Sequence, residues 1–242
     1  MNYMKKITTI LFSILLTTTL FAQGEMGGFG MHVGFASPTL RLNSPTAASS
    51  TRLEATPMNG VKIGINYDAT IVKGFGTTIG LNYTYAMYQS QWTSTGSYST
   101  EQVAYRDSYQ GLELFTDWQY KFEIAGETYL MLYTGPTIQV HLSLKEQEYV
   151  RSSEGTTKKT RYGYEYRDNQ AFEDYKRLNV TWGVGAGFQY KQFFLRGGYD
   201  FGLINPYKYD TYAKMGLTDI DRWTRGRFDQ WQIKIGMYFW RQ

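Results

Sequence analysis

Residues 229–242 read DQWQIKIGMYFWRQ. Trp231, Ile233, Ile235, Met237 and Phe239 take every second place, with Gln230, Gln232, Lys234 and Gly236 between them. A period of two is that of an extended strand with one apolar and one polar face. What each face meets decides the fold.

The same alternation recurs along the chain. Phe29, Met31, Val33 and Phe35 alternate with Gly28, Gly30, His32 and Gly34, and Val61, Ile63, Ile65 and Tyr67 with Lys62, Gly64 and Asn66. Further such stretches begin at Phe75, Leu112, Tyr129, Leu178 and Phe193, and no run of helical spacing follows the N-terminal segment. With the C-terminal stretch this predicts about eight strands. Connections near 68–74, 124–127 and 190–192 are short, whereas those near 37–57, 90–107, 145–176 and 205–227 are long. Strict alternation of short and long links is the pattern of an up-and-down antiparallel barrel with tight turns at one rim and large loops at the other. In the third long link, Tyr162, Tyr164 and Tyr166 alternate with Gly163, Glu165 and Arg167 after a turn at Ser153-Glu154-Gly155. We read it as a hairpin prolonging the fifth and sixth strands.

Alternation alone fits a soluble barrel with an apolar interior and a membrane barrel with an apolar exterior. Glycine separates them. Gly64, Gly76, Gly80, Gly183, Gly185, Gly187, Gly198, Gly202 and Gly236 all fall on the polar face. Glycine is a poor residue for a solvated strand surface, but in a narrow closed barrel it makes room for long inward side chains such as Lys62, Arg196 and Lys234. A tilted strand needs about 9–11 residues to cross a bilayer, and most of these stretches reach that. Pro136 in the fifth strand cannot donate to a ladder, which predicts a bulge or a break in pairing there. The reading is therefore all-β: an up-and-down antiparallel transmembrane β-barrel of about eight strands, the last pairing with the first. Trp231 to Phe239 would face lipid and Gln230 to Gly236 the lumen.

Composition agrees. The chain has 22 Tyr, 6 Trp and 25 Gly, suiting aromatic belts around a crowded lumen. Its mean hydropathy is negative, which does not argue against strands that are apolar on one side only. Lys5 and Lys6 precede an uncharged stretch to Phe21, then Ala22-Gln23. This reads as a signal peptide over 1–22, leaving 23–242 as one barrel domain. The formal charge of +4 includes both leader lysines, so nothing points to nucleic acid. With no cysteine there is no disulfide, Cys-based zinc site or lipid-modified N-terminal cysteine.

The stretches GLELFTDWQYKFEIAGETYLMLYTGPTIQV (111–140), VTWGVGAGFQYKQFFLRGGYDFGLIN (180–205), WQIKIGMYF (231–239) and FAQ (21–23) resemble the outer-membrane β-barrel family common in Bacteroidetes, often labelled porin-like or grouped with a type IX secretion barrel. The terminal amphipathic strand resembles the signal read by the bacterial barrel-assembly machinery. The resemblance implies a Gram-negative outer-membrane address more firmly than any activity.

Candidate chemistry is sparse. Glu113, Asp117, Lys121, Arg177, Arg196, Asp200 and Lys234 fall on the polar face and predict a structural charge network in the lumen, since an isolated enclosed charge is costly. Arg196 would lie in room left by Gly185 or Gly187. Loop aromatics Tyr162, Tyr164, Tyr166, Tyr207, Tyr209 and Trp223 are candidates for a surface-binding patch. His141 and Ser143 share a face, a spacing that resembles barrel lipases acting on lipid A, but no acid of the same parity completes a triad. The expectation is a monomeric, non-catalytic barrel without metal or cofactor. Its plugged lumen would leave it a role in envelope structure, surface recognition or limited solute passage. Its partners would be outer-membrane lipid and lipopolysaccharide, and the assembly machinery during biogenesis. The alternatives are an accessory barrel of a secretion system and a lipid A esterase using His141 and Ser143.

Overall fold

The computed structural model describes residues 28–43, 56–94, 100–165, 175–208 and 225–241. The leader over 1–22 lies outside them, as do Tyr166, Tyr209 and Trp223. The strands are β1 (Gly28–Asn43), β2 (Thr56–Pro57), β3 (Asn59–Val72), β4 (Phe75–Gln89), β5 (Thr93–Ser94), β6 (Gln102–Ala125), β7 (Thr128–Ser152), β8 (Gly155–Glu165), β9 (Leu178–Tyr190), β10 (Phe193–Gly202) and β11 (Arg225–Arg241). Eight of them close an antiparallel ring in the order β1, β3, β4, β6, β7, β9, β10, β11. The seam is β11 on β1, with Ile233 opposite Phe35 and Met237 opposite Met31. Closure leaves no unpaired edge in the ring, as a β-structure in lipid requires.

Side-chain direction answers the question posed by the C-terminal strand. Ile235 is 59% exposed and Lys234 only 3%. Around the ring Met31, Ile63, Leu81, Leu114, Leu132, Val184, Leu195 and Ile233 are exposed, while Lys62, Asn66, Asn82, Glu113, Gln139, Arg196 and Gln232 are buried. A water-soluble protein does the opposite, because lysine and arginine are almost never fully buried unless paired. Phe29, Phe75, Phe122, Tyr190, Phe193 and Phe239 stand outward near the tight-turn rim, and Tyr85, Trp182, Phe201 and Trp231 further up the wall. These are the two interfacial belts of a membrane barrel.

The tight turns lie at Lys73-Gly74, Gly126-Glu127 and Lys191-Gln192. Lys73 (φ 39°) and Gly74 (φ 85°) both take positive φ, as a two-residue I′ hairpin demands.

At the other rim the strands outrun the sequence reading. β1 continues past Pro38, which is tolerated because on that edge pairing with β3 ends at Ala36 opposite Gly60 and pairing with β2 begins only at Thr39 opposite Pro57, so the missing N–H falls in a gap of the ladder. β6 begins ten residues before Leu112 and β7 runs on to Ser152, paired with each other throughout this extension. Above the membrane both faces of a strand are polar, so the alternation fades although the ladder continues. β8 pairs with β7 from Ser143 opposite Glu165 to Ser152 opposite Gly155, so the hairpin at Gly155 (φ 136°) is present. It prolongs β7 alone: β9 starts afresh at Leu178 on the same edge of β7 below β8. At Pro136 the β6–β7 ladder skips Thr116 and Asp117 opposite Gly135 and Pro136 without losing register, so the irregularity is a break and not a bulge.

Candidate functional site in the lumen and at its mouth

Four walls converge on Glu113 of β6. Its carboxylate accepts from Lys62 Nζ of β3 (2.6 Å), from Thr84 Oγ1 (2.9 Å) and Asn82 Nδ2 (3.2 Å) of β4, and from Gln230 Nε2 of β11 (3.3 Å). Lys62 also donates to Gln232 Oε1 of β11 (2.8 Å). β11 is not a neighbour of β3 or β6 in the ring, so these bonds cross the lumen. Asp200 of β10 accepts from Gln232 Nε2 (2.8 Å) and Gln230 Nε2 (3.5 Å).

Nearer the tight-turn end, Arg196 of β10 reaches across to Asp117 (3.2 Å) and Gln119 (3.4 Å) of β6. Its guanidinium lies 4.2 Å from the centre of the Tyr133 ring, a stacking contact suited to a planar cation. Gln119 and Lys121 both donate to Asp68 of β3. Lys234 stands 4.6 Å over the Phe115 ring. The lumen thus uses salt bridges, amide bridges and ring faces to satisfy buried charge.

Here His32 Nε2 meets Asn82 Oδ1 at 2.8 Å, and Nδ1 meets the Asn66 amide at 3.1 Å. The Asn82 amide is oriented by its Nδ2 donating to Glu113, so its oxygen faces the ring and Nε2 must carry the hydrogen. Each ring nitrogen of His32 thus has a side-chain amide as partner.

Of the network read from sequence, Glu113, Asp117, Lys121, Arg196, Asp200 and Lys234 are buried together in the lumen. Arg177 is not among them: it is exposed at the mouth, where its carbonyl accepts from His141 N (2.8 Å). It sits one residue before β9 begins, where strand parity no longer governs direction. Sequence reading left Asp68 out by assigning it to a turn, although the inward series Lys62, Gly64, Asn66 extends to it. The glycines divide their work. A Cβ on Gly185 would lie 2.3 Å from Tyr133 Cζ, and one on Gly187 would lie 3.0 Å from Arg196 Cγ. Gly187 therefore leaves the room for Arg196, and Gly185 for Tyr133.

At the long-loop end Met58, Ala86, Tyr109, Leu144, Tyr175, Tyr207 and Phe228 pack in one hydrophobic cluster. Tyr207 is 5% exposed, which corrects its assignment to a surface-binding patch. A free loop tyrosine and a capping tyrosine look alike in sequence, and only the long-range bridge Tyr175–Tyr207, with ring centres 5.4 Å apart, tells them apart. The Tyr175 hydroxyl donates to Glu146. Burial, then the Glu146 charge, push this phenol well above its ordinary range and keep it a donor. Tyr162 and Tyr164 stand on β8 beyond the mouth.

His141 and Ser143 point inward and are buried. The His141 ring is wedged between Tyr109 (5.5 Å, 90°) and Phe228 (5.0 Å). Among the described residues neither of its ring nitrogens has a hydrogen-bond partner, and no group of three or more His, Asp or Glu side chains is placed to hold a metal.

A closed eight-stranded antiparallel ring, apolar outside and charged inside, is a membrane-spanning barrel. Residues 21–207 match the outer membrane protein beta-barrel domain; the chain belongs to that family and is a protein of the outer membrane. Among solved structures it is similar to Ail, the attachment invasion locus protein of Yersinia pestis, in complex with the heparin analogue sucrose octasulfate. Identity there is 9%, over 88% of this chain and 99% of that one, at a TM-score of 0.41. Neisserial surface protein A is 11% identical over 88% of this chain and 97% of its own, at a TM-score of 0.39. Likeness this distant says nothing of ligand or partner. No curated protein matches the chain.

Proposed function

We propose that this protein is a plugged, non-catalytic barrel. It anchors a surface-exposed sheet and loops in the outer membrane of a Gram-negative, Bacteroidetes-like cell, to which a leader over 1–22 delivers it. The observation that carries the reading is the set of cross-lumen bonds joining Gln230 and Gln232 of β11 to Glu113 and Lys62 on the far wall. Side chains tied across a narrow lumen leave no continuous aqueous path. What the barrel offers to the outside is the extension β5–β6–β7–β8, standing above an aromatic cap. A rigid platform carrying loops suits envelope structure or surface recognition. The barrel acts as a monomer in contact with outer-membrane lipid and lipopolysaccharide.

Purified protein in a planar bilayer is expected to give no sustained large conductance; steady open-channel currents would overturn the reading. A second test uses the absence of native cysteine. Thr181 is inward and fully buried, so cysteine there is expected to resist a water-soluble thiol reagent that modifies cysteine at exposed Lys158. Fast labelling of Thr181→Cys would mean that water runs through the lumen.

The esterase alternative is opposed by the burial of His141 between two rings, away from lipid. His141→Ala is expected to leave lipid A acylation unchanged in cells. Against the secretion alternative, a deletion strain is expected to export its surface proteins normally.

A further inference from the structure

Among the described residues, an ionic cluster at the seam faces away from the lumen. At the upper end of the seam, Ser37 is opposite Trp231, Thr39 opposite Asp229 and Arg41 opposite Arg227. The intervening Leu40 and Phe228 pack inward on the mouth cluster. Arg41, Asp229 and Arg227 therefore stand on the outer face of the wall, where the two arginines are partly exposed and Ser37 and Thr39 beside them are buried. Below them the outward order down β11 is Trp231, its ring centre 5.0 Å from that of Phe35, then exposed Ile233 and Ile235. Passing from acyl-chain residues through an aromatic belt to charge sets this cluster at headgroup depth.

Its construction is unusual for a lipid-facing wall. The Asp229 side chain is wholly buried although it points out of the barrel. One oxygen accepts from Gly202 N (2.9 Å), and the other from Tyr199 Oη (3.1 Å) and Arg227 Nη2 (2.9 Å), with Arg41 Nε at 3.3 Å. The carboxylate is fully used, and two guanidiniums share it. Both arginine side chains remain about two-fifths exposed, at 41% and 40%, and two cations against one anion leave a net positive charge. Arg225 follows two residues away on the same strand. A guanidinium pair pre-oriented by a buried acid offers forked donors to a tetrahedral oxyanion.

From this geometry we infer that Arg41 and Arg227, held by Asp229, form a binding site for the phosphate of an anionic outer-leaflet lipid. The inference rests on the membrane reading and gives the lipid partner proposed above a place on the wall. It does not depend on the lumen being closed.

The test is native mass spectrometry of the intact protein released from mild detergent, with lipid A as the probe in phosphorylated and enzymatically dephosphorylated forms. The phosphorylated lipid is expected to be retained and the dephosphorylated one not. The pair Arg41→Gln and Arg227→Gln is expected to weaken retention roughly twenty-five-fold, taking each surface arginine as worth about a factor of five. Lys158→Gln on the exposed hairpin should leave it unchanged. Heat-modifiable gel mobility checks that each variant is folded. Should the double variant misfold, Arg41→Lys with Arg227→Lys keeps the charge but loses the fork, and an intermediate loss is expected. Equal retention of the two lipid forms, or indifference to the arginine changes in folded protein, overturns the inference. Displacement of the lipid by millimolar inorganic phosphate would assign the site to the free anion and overturn its lipid part. A conducting barrel that still selects the phosphorylated lipid would refute the plug and leave this site standing.

Discussion

Glu113→Ala is expected to destabilise the barrel by about 3–5 kcal/mol, the range for removing one partner of a buried ion pair. The substitution leaves Lys62 enclosed with a single remaining neutral acceptor, Gln232 Oε1. It also strips Asn82, Thr84 and Gln230 of the acceptor they share. Lys62→Met should cost less, because it deletes the charge along with its partner's bond and leaves a carboxylate that keeps three neutral donors. Combining Lys62→Met with Glu113→Leu removes both charges and fills the space with apolar atoms, so it is expected to recover much of the loss. The measurement is the urea midpoint of the heat-modifiable folded band in lipid vesicles, read as a double-mutant cycle. A Glu113→Ala protein within about 0.5 kcal/mol of wild type would mean that water reaches and solvates Lys62, against the proposed plug.

The parts of the molecule that could be read from sequence are those where a local rule carries the information. In β11 the period of two, together with glycine on the polar face, fixed which side is buried, and the same logic put Arg196 in the room of Gly185 or Gly187, of which Gly187 is the one beside it. Three kinds of feature escaped it. Where β6 and β7 rise above the bilayer, both faces meet water and alternation disappears, although Tyr105 still pairs with Glu148 and Ser108 with Lys145. Where a strand ends, parity fails, and Arg177 turned out to be exposed. The third kind is tertiary. Tyr207 lies in a chemically ordinary loop and becomes a cap only because Tyr175, from another link, reaches it. Arg41, Asp229 and Arg227 form one cluster only because the last strand returns to the first, which brings together residues nearly the whole chain apart.

Gly135→Ala tests the tightest point of the wall, and its expected cost is about 3 kcal/mol or more, the upper part of the overpacking range. A Cβ at this position would lie 1.9 Å from Thr116 O, 2.9 Å from Thr116 C and 3.0 Å from Asp117 Cα. All three are backbone atoms of β6, so no rotamer change relieves the clash and the strands must part. Parting them also moves Asp117 from Arg196, now 3.2 Å away, so a steric fault in the wall becomes an electrostatic fault in the lumen. Gly126→Ala is the control: nothing lies within 4 Å of its would-be Cβ, and a change within about 0.5 kcal/mol is expected for an exposed turn position. The readouts are folding yield into vesicles and the urea midpoint. If Gly135→Ala matched Gly126→Ala in both, β6 and β7 would have to lie farther apart than a barrel of this packing permits.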